Sequence, residues 1–358
     1  MKINAKIIAD SVDPRGHRLV SYLITFPRYI LAELNTHRML SKNSASSRAI
    51  PFEKLLKSVE ENPFIPVAWM KDHKGMQGSE YYIEEEIKKC GIIEHWLGAR
   101  DFAIDRAKAL SEIGVTKQLC NRILEPFMWH TVLISGTEFE NFFALRCPQY
   151  EVRTKDRVKI YRSRKDLLKD WNYNLTDLEW RKLNKGMADI HMMDLAEAIW
   201  DAYNESTPKQ LREGDWHIPF GDDIDYTSED WSNVATKHIE ECEVKCIDSG
   251  DWQTTAVKIA TARCARTSYT VVGEEKKQSL EADIKLHDKF LGQRPLHASP
   301  FEHCAKVMAD DEYYHYAKCE HFDFDQLHTK NEKRETGWCK NYRGFIQYRA
   351  LVPNENVK

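Results

Sequence analysis

The stretch Thr36–Arg48, reading THRMLSKNSASSR, gathers the guanidiniums of Arg38 and Arg48, the imidazole of His37, the amide of Asn43 and the hydroxyls of Ser41, Ser44, Ser46 and Ser47. Arg forks bind phosphate bidentately, and Ser hydroxyls with loop amides supply further donors, so the group suits a phosphorylated ligand. A polar loop capping a helix has the same composition, and for this segment taken alone that plainer reading is the one to prefer. A second stretch, His297-Ala298-Ser299-Pro300-Phe301-Glu302-His303, sets two imidazoles and a carboxylate around a Ser-Pro turn. It reads as a helix start with Ser299 as N-cap, Pro300 at the first position and Glu302 closing a capping box, and such N-termini also bind anions.

A third stretch joins Asn121-Arg122-Ile123-Leu124-Glu125-Pro126 to Thr137–Cys147, TEFENFFALRC. On a helix, Thr137, Asn141 and Leu145 share one face, Phe142 and Phe143 turn to a core, and Arg146 stands at the end. An Arg there complements the helix dipole whether or not it does chemistry. Cys147 has no evident paired base and reads as a packing residue.

These residues need elements to hold them. Residues 19–31, LVSYLITFPRYIL, predict a strand that turns into a helix near Arg28, ending near His37. Residues 79–114 carry apolar side chains at helical spacing among charges, for one long helix or two in succession. Further helices are expected over Trp129–Leu145, Gly186–Asn204, Ser228–Cys246, Gln253–Arg266 and Lys277–Leu291, and a loop over Pro208–Tyr226 with turns at Gly214 and Gly221. The expected architecture is α+β, a small antiparallel sheet with a helix-rich periphery, in one elaborated catalytic domain spanning residues 1–358. Residues 151–186, rich in Lys, Arg and aromatics, read as a basic helical insertion with a solvated surface, because acidic residues interrupt the basic ones.

A chain of 358 residues can bury a large core, and its net charge of -4 exerts no global pull on nucleic acid or anionic membrane. The N-terminal MKINAKIIADSVDPRGHR lacks the apolar run of a signal peptide, and no run is long enough to span a bilayer, so a cytoplasmic location is expected. The nine scattered cysteines read as reduced thiols. Cys242 and Cys246 near His238, and His315 with Cys319 and His321, have partial zinc spacing; buried thiols and surface histidines are the reading taken, with no metal expected.

Together the three stretches resemble the flavin-dependent thymidylate synthase family. His37-Arg38 followed after seven residues by Ser46 is similar to that family's Arg-His-Arg signature, preceded as there by an apolar strand and a Pro. His297–His303 resembles its His-x-Ser/Thr-Pro-Phe-Glu-His element, Ala262–Tyr269 its Ala-Arg-Val-Ser-Tyr element, and the third stretch its Arg-x-x-Leu-Pro and Asn-Phe-x-x-Leu-Arg elements. The order differs: moving residues 255–305 ahead of residue 19 restores the family order, so the segments look circularly permuted, which is tolerated where termini lie close on a surface. The resemblance covers roughly half of the chain and leaves out 151–186 and a C-terminal extension, 306–358.

What the resemblance implies is a site in which His37, Arg38, Asn43, Asn141, Leu145, Ser268, Ser299 and Glu302 lie near FAD. His297 would sit by the folate and nicotinamide face, Ser46, Arg48 and Arg122 would hold the nucleotide phosphate, and Arg146 would lie against the pyrimidine ring. Departures are Thr36 for the first Arg, Glu33 for a Gln, Ser44 for a Glu facing flavin and nucleotide, and Ala49 for a Tyr. Glu33 and Ser44 bear on which pyrimidine is accepted, because uracil and cytosine differ in hydrogen-bond pattern at N3 and C4. The implied reaction is one-carbon transfer from methylenetetrahydrofolate to C5 of a deoxypyrimidine monophosphate, with NADPH as hydride donor, dUMP to dTMP, in a homo-oligomer (tetramer or dimer). The rivals are a hydroxymethylase of dUMP or dCMP and a non-catalytic nucleic-acid-binding relative using the basic insertion.

Overall fold

The computed structural model describes residues 1–74, 78, 80–154, 158–241, 252–272, 278–315 and 336–352. The strands are β1 (Asn4–Val12), β2 (Arg18–Pro27), β3 (Ser41–Ser44), β4 (Trp129–Gly136), β5 (Tyr150–Arg153), β6 (Val158–Tyr161), β7 (Lys209–Gln210), β8 (Trp216–His217), β9 (Ala305–Val307), β10 (Trp338–Cys339), β11 (Tyr342–Arg343) and β12 (Phe345–Gln347). The main sheet runs β3-β4-β2-β1-β7 and is antiparallel except for the β1–β7 pair. The chain is thus a mixture of helices and small sheets. No helix among the described residues is long and apolar enough to cross a membrane.

Alternation along β2 builds both faces of this sheet. Val20, Tyr22, Ile24 and Phe26 are fully buried in one core with Met192, Leu195 and Ile199 of the helix Ile190–Glu205 and Phe142 and Phe143 of the helix Glu140–Arg146. On the opposite face Leu133 and Ile8 pack with Cys264 from the helix Trp252–Arg266. Each large side chain fully buried here contributes roughly 1.5–3 kcal/mol, more than one hydrogen bond does, so packing sets where the polar residues fall.

The double coverage explains one correction. The expected helix over Trp129–Leu145 is strand β4 followed by a shorter helix, Glu140–Arg146. Every residue of β4 is buried, so WHTVLISG shows no alternation of apolar and polar positions and imitates a buried helix. Gly136 closes it, since a Cβ there would lie 2.7 Å from the Leu40 side chain.

Elsewhere the helices run Glu84–Lys89 and Ile92–Glu112, Ile190–Glu205, Glu229–Glu241, Trp252–Arg266 and Leu280–Leu291. The strand–helix turn near Arg28 is a 3-10 turn, Arg28–Ile30, leading into the helix Leu31–Asn35. The basic 151–186 segment is only partly helical: it opens with the antiparallel hairpin β5–β6 before the helices Arg164–Asp170 and Asp177–Leu183. Tyr150, Val152, Tyr161, Leu167 and Trp180 give it a small core of its own; the alternation in YEVR supplies Tyr150 and Val152, whereas β6 adds only Tyr161, with Val158 and Ile160 exposed. The expected Pro208–Tyr226 loop contains the short strands β7 and β8.

The segment after residue 336 folds back onto the body: β12 pairs with β9, and Gly344, at φ +78°, packs so close to Asp13 that a Cβ would sit 2.4 Å from its carboxylate. Of the two suggested metal groups, Cys242, Cys246, Cys319, His321 and the His315 side chain lie outside the described residues, while His238 is buried against Thr255 at 3.1 Å. Among the described residues no group of three His, Cys, Asp or Glu side chains could hold a metal ion.

Candidate active site

Arg146 ends its helix with Phe142 and Phe143 locked in the core, which fixes the direction of its guanidinium. Its Nε donates to His37 Nε2 at 3.0 Å, Nη1 to Glu33 Oε2 at 3.1 Å and Nη2 to Thr36 Oγ1 at 3.3 Å. The receiving residues sit at the end of the helix Leu31–Asn35, pinned by buried Leu31 and Leu34, and the His37 ring meets Phe142 edge-on at 5.0 Å. Because His37 Nε2 accepts, the neutral ring carries its proton on Nδ1. Burial, then the charges of Arg146 and Lys42, push the His37 pKa down to about 4. Glu33 is pushed up by burial and by Asp189, against the pull of Arg146.

Asn43 is a second centre. It is 3% exposed on β3; its Nδ2 donates to the Cys264 carbonyl, and its Oδ1 accepts from Ser299 Oγ at 3.1 Å and Ser268 Oγ at 3.3 Å. The Ser46 amide donates to the Ser268 carbonyl at 3.1 Å. Residues of Thr36–Arg48, Ala262–Tyr269 and His297–His303 therefore meet at one amide.

Lys42 links the two centres. Its ammonium donates to the carbonyls of His37 and Leu40, and burial lowers its pKa to about 8 against the opposing field of Glu302. Glu302 is paired with Arg349, and its carbonyl accepts from Tyr342 Oη at 2.7 Å. Gln347 Nε2 donates to Ser41 Oγ at 3.1 Å and to Asn341 Oδ1 at 2.6 Å, and Asn341 Nδ2 donates to the Met39 carbonyl at 2.9 Å.

Lys42, Asn341, Gln347 and Arg349 were not among the residues expected from sequence. The last three lie in the segment taken as an extension, and no local spacing signals their contacts.

The expected phosphate group is more open. Arg48 and Arg122 are exposed. Between them Ser47 Oγ donates to Glu125 Oε1 at 2.7 Å, and Asn121 Nδ2 holds the Ser47 and Ile50 carbonyls at 2.6 and 3.1 Å, so a buried amide shapes the loop that presents Ser46 and Arg48. Ser44 shares a 2.7 Å hydrogen bond with His130 Nε2; His130 is 1% exposed, and burial with the Arg28 charge lowers its pKa to about 3.

Arg38, Asn141 and Leu145 are exposed. His297 is exposed with its ring 5.9 Å from that of Phe290, and no hydrogen bond among the described residues ties it to the Arg146 group. Cys147 is buried with its thiol directed at the Ala196 carbonyl, 3.6 Å away, and burial raises its pKa, as suits packing rather than nucleophilic attack. Behind the Glu302 turn runs a chain of buried polar contacts that sequence did not foretell: Ser11 to His217 at 2.9 Å, His217 to Ser21 at 2.9 Å, Ser21 to Ser135, and Ser135 to His303 at 2.9 Å.

Among the described residues, the cations of 151–186 are largely matched by carboxylates, including Lys159–Asp170, Arg162–Glu140, Arg164–Glu197, Lys165–Glu205 and Arg181–Asp194. An open depression of about 370 Å³ there, lined by Tyr161, Arg162, Asp166 and Trp200, contains none of the expected site residues.

No protein-family model matches the chain, and no curated protein matches it. Among solved structures it is similar to the UMP/dUMP methylase PolB from Streptomyces cacaoi. With 5-Br dUMP bound, that structure is 13% identical over 53% of this chain and 67% of that one, with a TM-score of 0.36. With 5-Br UMP bound, the values are 12%, 57%, 89% and 0.39. Thymidylate Synthase X (ThyX) from Helicobacter pylori, with FAD and dUMP, is 16% identical over 52% of this chain and 67% of that one, with a TM-score of 0.26.

Proposed function

We propose that this protein is a flavin-dependent enzyme that transfers a one-carbon unit from methylenetetrahydrofolate to C5 of a deoxypyrimidine monophosphate, converting dUMP to dTMP with NADPH as hydride donor. The observation that carries the reading is the meeting at Asn43 of Ser268, Ser299 and Cys264, beside a His37–Arg146 contact. These are the segments whose sequences resemble the flavin-dependent thymidylate synthases, in rotated order.

The residues present suit FAD. Ser268 and Ser299, half-buried and anchored on Asn43, offer hydroxyl oxygens, exposed Arg38 offers a cation for a pyrophosphate, and Leu145, 64% exposed on the helix Glu140–Arg146, offers apolar surface to a flat ring. Asn141, Glu302 and His297 would complete the cofactor and folate side. When bound, the flavin supplies the redox chemistry of the transfer.

The chain's own part is positioning and electrostatics. C5 of a pyrimidine is a weak nucleophile, and charge must be stabilised on the ring carbonyls; Arg146 provides a guanidinium that His37, Glu33 and Thr36 hold in place. A neutral His37 adds no second cation to repel it. Ser46, Arg48 and Arg122 would take the phosphate, Arg48 from the exposed surface and Arg122 by leaving its contact with Glu125 at 4.0 Å.

On this reading residues 1–358 form one cytoplasmic catalytic domain that assembles as a homo-oligomer, with 151–186 as an insertion. The 306–358 segment takes part in the site through Gln347 and Arg349. A hydroxymethylase of dUMP or dCMP is the second reading, favoured by the Ser44–His130 pair where the resemblance has a carboxylate. The ion-paired cations of 151–186 favour either enzyme over a nucleic-acid binder.

The test is to incubate the purified full chain with FAD, NADPH, methylenetetrahydrofolate and either dUMP or dCMP, and to identify products by mass. Formation of dTMP supports the first reading and a hydroxymethyl product the second. No C5 product from either nucleotide rejects both.

A further inference from the structure

Tyr29 lies one helical turn before Glu33, the residue that accepts from Arg146, and is 40% exposed. Its ring is held by Phe64 at 5.4 Å and by His191, edge-on, at 5.5 Å. His191 is 3% exposed, and its two nitrogens have different partners. The Val67 amide donates to Nε2 at 3.1 Å, so Nε2 is an acceptor and the neutral ring carries its proton on Nδ1. That proton faces the Tyr29 oxygen and, at 3.2 Å, Asp189 Oδ1, which also caps the helix Ile190–Glu205 by accepting from the amides of His191 and Met192. Tyr29 therefore accepts from His191, and its own hydroxyl proton is left to point away from the ring.

The surroundings select what that proton meets. Burial first, and then the charges of Asp189, Glu33 and Asp194, keep the Tyr29 hydroxyl protonated. A phosphate would be repelled by these carboxylates. A neutral hydroxyl would be favoured, since its oxygen can accept from Tyr29 while its proton is given to a carboxylate.

We propose that Tyr29 is a ligand-binding residue of the Arg146 site. It donates to a neutral hydroxyl oxygen, and Glu33, one turn on, accepts from the same hydroxyl. Resting on the nucleotide reading above, that group is the 3′-hydroxyl of the sugar, and His191, set by Val67 and Asp189, is the positioning residue that aims the phenol.

The experiment is calorimetric binding of dUMP and of 2′,3′-dideoxyuridine 5′-monophosphate to the full chain with FAD, for the wild type and Tyr29→Phe, with thermal melts of both as a fold control. The wild type is expected to prefer dUMP about three- to tenfold, the scale of one neutral hydrogen bond, and Tyr29→Phe to bind both nucleotides alike at the weaker value. If Tyr29→Phe keeps the preference, or weakens both nucleotides equally, the hydroxyl assignment is overturned while the nucleotide reading stands. If the wild type binds neither nucleotide, the nucleotide reading has failed and takes the assignment with it.

Discussion

Arg146 Nε and His37 Nε2 lie 3.0 Å apart although the residues are 109 positions apart in sequence, and the contact makes the imidazole an acceptor in a site crowded with cations. Replacing Arg146 with Met removes a charge that holds the His37 pKa down while leaving burial in place. His37 titration, followed by NMR, is expected to move up from about 4 but to stay below the ordinary value near 6.5. C5 transfer should fall at least a hundredfold if the guanidinium faces developing charge. An unmoved His37 titration would show the contact to be absent in solution.

Stability should depend on pH through the buried histidines. His37 is lowered to about 4 and His130, His217 and His303 to about 3, chiefly by burial. In the unfolded chain they titrate near 6.5, so between that pH and about 3 the unfolded state binds more protons than the folded one. The melting temperature is expected to be highest above pH 6.5 in this respect and to drop as pH falls through that window. Because paired carboxylates lose stability mainly below pH 5, a fall already present between pH 6.5 and 5 is the signature of the histidines. A flat curve across pH 5 to 7 counts against their neutral burial.

Asn43→Asp tests the meeting point of Thr36–Arg48, Ala262–Tyr269 and His297–His303. A carboxylate cannot donate to the Cys264 carbonyl that Asn43 Nδ2 now satisfies, and it places two oxygens in contact inside the fold. The expected cost is about 1–3 kcal/mol in denaturant unfolding, with weakened retention of FAD. Unchanged stability would mean that this amide does not join the stretches.

Arg48→Ala and Arg122→Ala separate function from folding. Both side chains are exposed, so each change should alter stability by no more than about 0.5 kcal/mol. Each should nevertheless raise KM for the nucleotide several-fold, with a shallower dependence on salt. Equal KM values in mutant and wild type would remove these residues from the phosphate site.

Leu34→Ala probes the support beneath the site. Leu34 is fully buried in the main core and anchors the helix Leu31–Asn35, which carries Glu33 toward Arg146. The cavity should cost about 2–5 kcal/mol, measured by urea unfolding. A loss below 1 kcal/mol would show that this turn is not set by the core.

Much of this was legible in the chain itself. The residue types of Thr36–Arg48 and His297–His303 marked them as polar segments able to bind a ligand, and periodicity located β2 and the helices Ile190–Glu205 and Trp252–Arg266, because amphipathic patterns are local. β4 escaped, since a strand covered on both faces has no alternation to read. His130 escaped as well, because only its pairing across the sheet brings it to Ser44.

By itself, then, the sequence determined which groups are available: the guanidinium of Arg146, the neutral amide of Asn43, the hydroxyls of Ser268 and Ser299. Only the tertiary structure decided that they meet, with Asn43 bonding across 221, 225 and 256 positions and Gln347 reaching Ser41 across 306. The physical reason is one of range. A residue's chemistry and its local propensity act over a few neighbours, whereas the partner of a buried donor is chosen by how whole layers pack, and that depends on every apolar side chain between them.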